Sequence, residues 1–275
     1  MSGIDAHQHF WRFDPQRDAW ITPNMRAIRR DFLPRDLEGT LAANGIDGCV
    51  AVQADQSDAE TQFLLDLARR HAVIKGVVGW VDLRSPRLDE TLETLAADPL
   101  LRGVRHVVQA EPDDFLTRAD VVRGISRLGP VGLTYDILVV ARQLPAALVL
   151  TARLPDQPFV LDHLAKPPIR ERAFEPWAAA IRELARRPNV CCKLSVLVTE
   201  ADWNRWRPED LRPYLDVAFD AFGPDRVMFG SDWPVCLVAA SYERVLGVVT
   251  EFAAALSATE RDALFGGNAA RFYGL

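Results

Sequence analysis

The stretch IDAHQHFW, residues 4–11, places two histidines, His7 and His9, one residue apart within a short apolar run. On a β-strand alternate side chains share a face, so both imidazoles would point to the same side. Two imidazoles aimed at one point indicate a site for a metal ion or a polar substrate. The pair alone is weak evidence, because two surface histidines at this spacing also arise by chance. What the pair means therefore depends on the rest of the chain.

Seven further apolar or β-branched runs follow, with helical patterns between them. After the first gap the runs are spaced by roughly thirty residues, as in strand–helix units. A chain of 275 residues is close to the roughly 250 of a typical α/β barrel, so we expect one (β/α)8 TIM-barrel domain over residues 1–275. The predicted strands are IDAHQHF (4–10), DGCVAVQ (47–53), IKGVVGWV (74–81), RGVRHVVQ (102–109), PVGLTYDIL (130–138), PFVLDHL (158–164), NVCCKLSVL (189–197) and RVMFGSDW (226–233).

The connections between these strands carry recognisable signals. The helix in LEGTLAANG should end at Gly45, a natural left-handed cap. The helix in SATERDALFGG begins with a capping box of Ser257 and Glu260 and should end at Gly266. The long connection 10–35 is expected either to form a lid or binding loop, or to pack on top of the barrel.

Composition excludes several classes of protein. The hydrophobic share of 49% and the charged share of 25% are those of a soluble globular domain. The net charge is −6 and the arginines alternate with acids, so neither nucleic acid nor an anionic membrane is an expected partner. No apolar run approaches the roughly 20 residues of a membrane helix, and no secretory signal is recognisable before His7.

The cysteines have no spacing typical of a metal site, so buried free thiols and a cytoplasmic location are expected. They are Cys49, Cys191, Cys192 and Cys236.

Polar residues stand at the end of nearly every predicted strand, where the loops of a parallel barrel meet. Folding alone explains this poorly, because buried ionisable groups are costly unless they are paired or used. The set comprises His7, His9, Gln53, Trp80, Asp82, Arg105, His106, Tyr135, Asp136, Asp162, His163, Lys166, Lys193, Ser195, Ser231, Asp232 and Trp233.

The motifs DAHQHFW, VQA, RGVRHVVQ, DHLAKPP, CKLSVLVTEADW, FGSDWPV and FGGNAARFYGL occur in this order along the chain. Together they resemble the amidohydrolase-related barrels, and most of all the branch of fuconolactonases, rhamnonolactonases and pyrone-dicarboxylate lactonases. The resemblance implies a (β/α)8 fold and hydrolysis of a small lactone. It also implies that His7, His9, His163 and Asp232 are catalytic, with Asp232 acting first as base and then as acid.

The resemblance further implies a metal site, with one departure from the superfamily pattern. The fourth and fifth strands lack the lysine or glutamate and the histidine that hold two metals in those enzymes, so a binuclear centre is not expected. One divalent ion, zinc by its ligand chemistry, would lie on His7, His9 and Asp232, with His163 as a further ligand or hydrogen-bonding neighbour. Metal-free catalysis stays open, because members of this branch work without a metal.

Six residues are candidates for substrate binding, each with a structural alternative: Trp11, Gln53, Arg105, His106, Lys166 and Trp233. On a regular strand only one of Arg105 and His106 can face inward. Lys166 and Lys193 could instead pair with Asp162 or Glu200, and Asp162 is expected to point outward. The tryptophans could bind the C–H face of a sugar ring or serve only in packing.

Three functions compete on this pattern. The first is hydrolysis of an aldonolactone, favoured over a dicarboxylate because the strand ends offer one evident arginine, Arg105. The second is a metal-dependent decarboxylase of an aromatic or muconate-type acid on the same barrel. The third is a non-catalytic binding barrel, which would have no need of a titratable base. The oligomeric state does not follow from the sequence.

Overall fold

Residues 3–275 are described by a computed structural model. Eight parallel strands form one sheet whose strand order equals the chain order. The predicted TIM barrel is confirmed. The strands are β1 Ile4–Gln8, β2 Gly48–Val52, β3 Ile74–Gly79, β4 Leu101–Val107, β5 Thr134–Leu138, β6 Phe159–Leu161, β7 Val190–Leu194 and β8 Val227–Phe229.

The sheet closes at one end, between β1 and the residues that follow β8. The Asp232 amide donates to the His7 carbonyl at 2.8 Å, and the His9 amide donates to the Trp233 carbonyl at 2.6 Å. These bonds lie at the carboxyl ends of the strands, which is the end that carries active sites in this fold. The closure of the barrel thus brings the first predicted motif against the last one.

Helices cover the outside of the barrel. They are α1 Pro34–Ala43, α2 Asp58–Arg70, α3 Leu88–Leu95, α4 Ala119–Ile125, α5 Leu144–Arg153, α6 Trp177–Ala185, α7 Leu197–Glu200, α8 Pro208–Phe222, α9 Tyr242–Phe252, α10 Ala258–Asp262 and α11 Asn268–Tyr273. The left-handed Gly45 after α1 and the capping box of Ser257 and Glu260 before α10 are confirmed. The helical geometry breaks at the expected residue, Gly266, with φ of 172° and ψ of −43°, within a π-helical turn at 263–267 that joins α10 to α11. Within residues 3–275 no helix is both long and apolar enough to cross a membrane.

The lower part of the barrel interior is apolar and sealed. Apolar side chains from several strands, among them Ile4, Val50 and Met228, pack together there. Ala269 and Tyr273 of α11 join the same cluster, so the C-terminal helix covers the amino ends of the strands. Polar chemistry is therefore confined to the layers above this plug.

The long connection 10–35 is folded over the carboxyl end of the barrel. Trp11 and Phe32 pair as a short antiparallel bridge that joins its two ends. Ile21 and Ile28 of this segment are buried and join the main hydrophobic core of the barrel. It packs on top of the barrel, and Arg17, Trp20 and Met25 of this segment line a cavity at that end, so a role as a binding loop stays a prediction.

Every strand is shorter than its predicted run, and β6 and β8, with three residues each, are the shortest. β6 ends at Leu161, and His163, Leu164, Ala165 and Lys166 all have left-handed backbone angles, with φ of 58°, 53°, 57° and 49°. Such angles cost roughly 1–2 kcal/mol for each residue that is not glycine. Strain of this kind clusters at functional sites, where the surrounding structure holds it in place.

Candidate active site

A cavity of about 460 Å³ opens at the carboxyl end of the strands. Five of the predicted site residues line it: His9, Arg105, His163, Lys166 and Asp232. A volume in this range is typical of sites for small molecules. His7 lies directly beneath, fully buried, in contact with the side chains of the cavity floor.

Three imidazoles converge on one carboxylate at the floor of the cavity. The Asp232 Oδ1 atom lies 3.1 Å from His9 Nε2, 3.7 Å from His7 Nε2 and 3.9 Å from His163 Nε2. Asp232 itself has a left-handed backbone with φ of 56°. This conformation directs its side chain to the imidazoles instead of continuing β8.

The other ring nitrogen of each histidine already has a partner. His9 Nδ1 lies 2.7 Å from the Val52 carbonyl, which can only accept, so that nitrogen carries the proton. His163 Nδ1 lies 2.7 Å from Ser195 Oγ, and His7 Nδ1 lies 3.3 Å from Asp162 Oδ1. Burial also lowers the pKa of His7 and of His163 well below the usual value. With its proton on Nδ1, His9 presents its Nε2 atom to the site.

These atoms fit a metal ion. Zinc bonds to nitrogen and oxygen at about 2.0–2.1 Å, so its tetrahedral ligand atoms stand about 3.3 Å apart. The separations of 3.1 Å and 3.7 Å from Asp232 Oδ1 to His9 and His7 are of this size. The hydrogen bonds at Nδ1 are the outer contacts that orient histidine ligands. The side chains of His7, His9 and Asp232 are therefore suitable ligands for one zinc ion. His163 lies next to them.

Below the imidazoles lies a buried ionic network. Lys193 Nζ is 2.6 Å from Asp136 Oδ2 and 3.0 Å from Asp162 Oδ1, and Arg105 Nη1 is 3.2 Å from Asp162 Oδ2. Tyr273 donates a further bond of 2.7 Å to Asp136. Burial alone would raise the pKa of Asp162, but Lys193 and His7 hold it well below the usual value. The network thus holds in place the Asp162 carboxylate, which lies 3.3 Å from His7 Nδ1.

The inward position of Asp162 corrects the expectation that it points outward. A regular strand would place Asp162 and His163 on opposite faces. Because His163 adopts the left-handed conformation, the alternation breaks and both side chains reach the barrel interior. The expected pairings of Lys193 with Asp162 and of Lys166 with Glu200 are present, at 3.0 Å and 3.9 Å.

The structure also separates Arg105 from His106. Arg105 faces the cavity, with Nη1 at 3.2 Å from His7 Nε2, and its buried Nε has no hydrogen-bond partner in the described part of the chain. His106 faces away from the cavity, stacked on Phe115 and bonded to Glu111 at 3.1 Å. Substrate binding by His106 is thus not supported, whereas Arg105 lines the cavity.

Three more predicted binding residues lie behind the cavity wall. Gln53 is fully buried and donates to the Arg105 carbonyl, so it supports that residue. Trp11 is 1% exposed and its indole donates to the Arg30 carbonyl. Trp233 is 4% exposed and packs edge-on against Phe10 and Phe32. Packing is the role that the contacts of both indoles support.

The cavity instead contains two tryptophans that the candidate set omits. Trp20, on the 10–35 connection, is 43% exposed and stands edge-on to Trp11 at 5.8 Å. Trp203 follows β7, and its indole is fixed by a bond of 2.8 Å to the Thr199 carbonyl. The only sequence signals for them are the aromatic content of the long connection and the ADW in the seventh-strand motif.

Asp5 joins the two strands that carry the site. Its Oδ1 atom accepts from the His7 amide at 3.1 Å and from the Ser231 amide at 2.9 Å. Next to it, a Cβ atom on Gly230 would come within 2.8 Å of the His7 Cβ. A glycine is therefore required for the close approach of β8 to His7.

The chain resembles known proteins over its whole length. The family model described as Amidohydrolase matches residues 4–275. An L-fucono-1,5-lactonase of Burkholderia multivorans is 48% identical, covering 99% of this chain and 96% of the relative, and one of Burkholderia ambifaria is 40% identical, covering 98% and 94%. The crystal structure of a Burkholderia multivorans amidohydrolase with bound zinc superposes with a TM-score of 0.96 at 46% identity, with complete coverage of both chains. The chain belongs to the amidohydrolase family.

Proposed function

We propose that this protein hydrolyses the ring ester of a sugar-acid lactone, with an aldono-1,5-lactone as the preferred class. The observation that carries the proposal is the convergence of three imidazoles on Asp232 at the floor of an open cavity. The names of the two Burkholderia relatives support the substrate class.

Asp232 is the proposed base. It takes a proton from a water molecule as the water oxygen attacks the lactone carbonyl carbon. The carbon–oxygen bond of the ring then breaks, and the protonated Asp232 returns the proton to the departing alkoxide. The positive charge of Arg105, which lines the cavity, is suited to the negative charge that develops on the carbonyl oxygen. His163, held by Ser195, borders the same space.

We also propose that His7, His9 and Asp232 hold one zinc ion, with His163 as a further ligand or neighbour. A bound zinc ion would polarise the carbonyl and lower the pKa of water. The donor geometry and the zinc in the related crystal structure support this assignment. Loss of metal from purified protein treated with a chelator, followed by metal analysis and assay, tests it. Full activity of verified metal-free protein would remove zinc from the mechanism and leave the roles of the histidines open.

The charges around the cavity favour a neutral substrate. Each cation in the lining already has a carboxylate partner: Arg17 pairs with Asp18, Arg105 with Asp162, and Lys166 with Glu200. A dicarboxylate, or the carboxylate substrate of a decarboxylase, would call for uncompensated arginines. The indoles of Trp20, which is exposed, and of Trp203, which is half-buried, both line the cavity and suit the C–H face of a sugar ring.

The test is a comparison of kcat/KM for L-fucono-1,5-lactone, L-galactono-1,5-lactone and a pyrone dicarboxylate at one pH. We expect both aldonolactones to be hydrolysed faster than the dicarboxylate, without gas release. A clear preference for the dicarboxylate would contradict the substrate class. Release of carbon dioxide from an aromatic acid would replace hydrolysis with decarboxylation.

We propose that the protein resides in a reducing compartment, the cytoplasm, and four free cysteines support this proposal.

A further inference from the structure

One wall of the cavity is apolar although the floor is ionic. Met25, Val235 and Val238 line this wall. Val235 and Val238 lie on a 3-10 turn, Val235–Val238, that packs against the turn Arg26–Ile28 next to Met25. We call these three side chains the apolar wall.

The apolar wall is attached directly to the proposed base. The turn begins three residues after Asp232, and the Cys236 amide donates to the Asp232 carbonyl at 3.0 Å. The wall and the proposed base therefore lie on one short segment. A substrate whose carbonyl lies at Asp232 can therefore place one neighbouring substituent against this segment.

The chemistry of a 1,5-lactone says which substituent that is. The exocyclic carbon, C6, is attached to C5, and C5 is bonded to the ring oxygen that leaves. C6 is thus separated from the reacting carbonyl carbon only by C5 and the ring oxygen. When the carbonyl lies at Asp232, C6 is the part of the sugar ring system that lies beside the leaving oxygen.

We propose that Met25, Val235 and Val238 form the subsite for C6, and that they select a methyl group over a hydroxymethyl group. The inference rests on the proposed lactonase function and specifies which lactones it prefers. A methyl group is buried favourably against these side chains. A hydroxymethyl group would leave its hydroxyl without a partner among these side chains, which is unfavourable where the substrate displaces water from them.

A polar side chain on this side, Thr199, already has a hydrogen-bond partner. α7, which carries Thr199, packs against the turn of the apolar wall. The Thr199 hydroxyl donates to the Val196 carbonyl at 2.8 Å, so its proton is not free for a substrate oxygen. Apolar pockets discriminate against an added hydroxyl by up to about a hundredfold. We expect a preference of about tenfold to a hundredfold for the 6-deoxy lactone.

L-Fucono-1,5-lactone and L-galactono-1,5-lactone differ only at C6 and form a matched pair of substrates. The ratio of their kcat/KM values is measured for the wild type, Val235→Thr and Val238→Thr. Threonine keeps the shape of valine and adds a hydroxyl that a 6-hydroxyl group can bond. The ratio should fall by about fivefold or more in at least one variant, as expected for a gained hydrogen bond. Val149→Thr, at an exposed position outside the cavity, should leave the ratio unchanged.

A wild-type ratio near one, or an unchanged ratio in both threonine variants that keep the wild-type melting temperature, would overturn the inference. A large change of the ratio in Thr199→Val would assign C6 to Thr199 and would overturn it too. Each of these results leaves the lactonase proposal standing. The absence of hydrolysis of either lactone by the wild type would instead remove the proposed function.

Discussion

At the scale of single residues, side-chain type and position in the motif were enough to find the floor of the site. The structure brings together the four side chains that were predicted from their residue types and their positions at the strand ends: His7, His9, His163 and Asp232. The direction of Asp162 could not be predicted, because it depends on the left-handed backbone at His163. The register of β4 decides which of Arg105 and His106 faces inward. Two adjacent polar residues in a sequence do not define that register.

Asp232→Asn is expected to abolish turnover while the fold is kept, because it removes the proton acceptor at nearly constant shape. The loss in kcat should be roughly three orders of magnitude or more for a group that serves as base and then as acid. Steady-state kinetics on L-fucono-1,5-lactone, with a melting curve to verify folding, measures it. A variant that keeps a tenth of wild-type activity would exclude this role for Asp232.

At the scale of elements, the strands were predicted well in the middle and poorly at their ends. β6 and β8 each comprise only three residues, since the chain leaves the sheet early at Asp162 and at Gly230. Hydrophobic patterning does not report such exits, because DHL and GSDW are as buried as the strands before them. The 10–35 connection was recognised by its length, but which of its aromatics faces the cavity depends on how it packs on the barrel.

Trp20 is expected to contribute to substrate binding and not to the chemical step. Trp20→Ala should raise KM for the lactone by about tenfold with little change in kcat, since stacking on a sugar ring is made equally in the ground state and the transition state. Trp20→Phe should recover most of the affinity. The comparison of KM with kcat for both variants checks this. If kcat falls and KM does not change, the side chain acts on the chemical step and does not simply hold the substrate.

At the scale of the whole molecule, the barrel is closed by residues far apart in the sequence. At the carboxyl end of the strands, β1 is hydrogen-bonded to the segment after β8. From the amino end, Tyr273 of α11 donates a hydrogen bond to Asp136. Collinear motifs from the first strand to the last helix predicted the barrel. They could not predict that the C-terminal helix takes part in the ionic network under His7, because a single tyrosine carries no signal for a distant aspartate.

The stability of the whole chain should depend on pH through Glu60. This side chain in the first turn of α2 is 6% exposed, and it accepts from the Ala54 amide at 3.1 Å. Burial raises the pKa of Glu60 from 4.5 to about 7. A carboxyl group whose pKa is raised by folding stabilises the protein in its protonated form, and this contribution is lost as the pH rises through the folded-state value.

Glu60→Gln keeps the accepting oxygen and cannot ionise. The difference in melting temperature between Glu60→Gln and the wild type should therefore grow in favour of the variant between about pH 5 and about pH 8. A loss of about 2 kcal/mol in the wild type corresponds to roughly 4–8 °C for a chain of this size. Every other titrating group contributes equally to both proteins, so thermal unfolding of the pair at the two pH values isolates Glu60. Glu90→Gln, at an exposed position paired with Arg87, is the matched control and should show a constant difference. A difference for Glu60→Gln that stays constant or shrinks would mean that Glu60 is already ionised in the folded protein at about pH 5, with Arg17 as its nearest compensating cation.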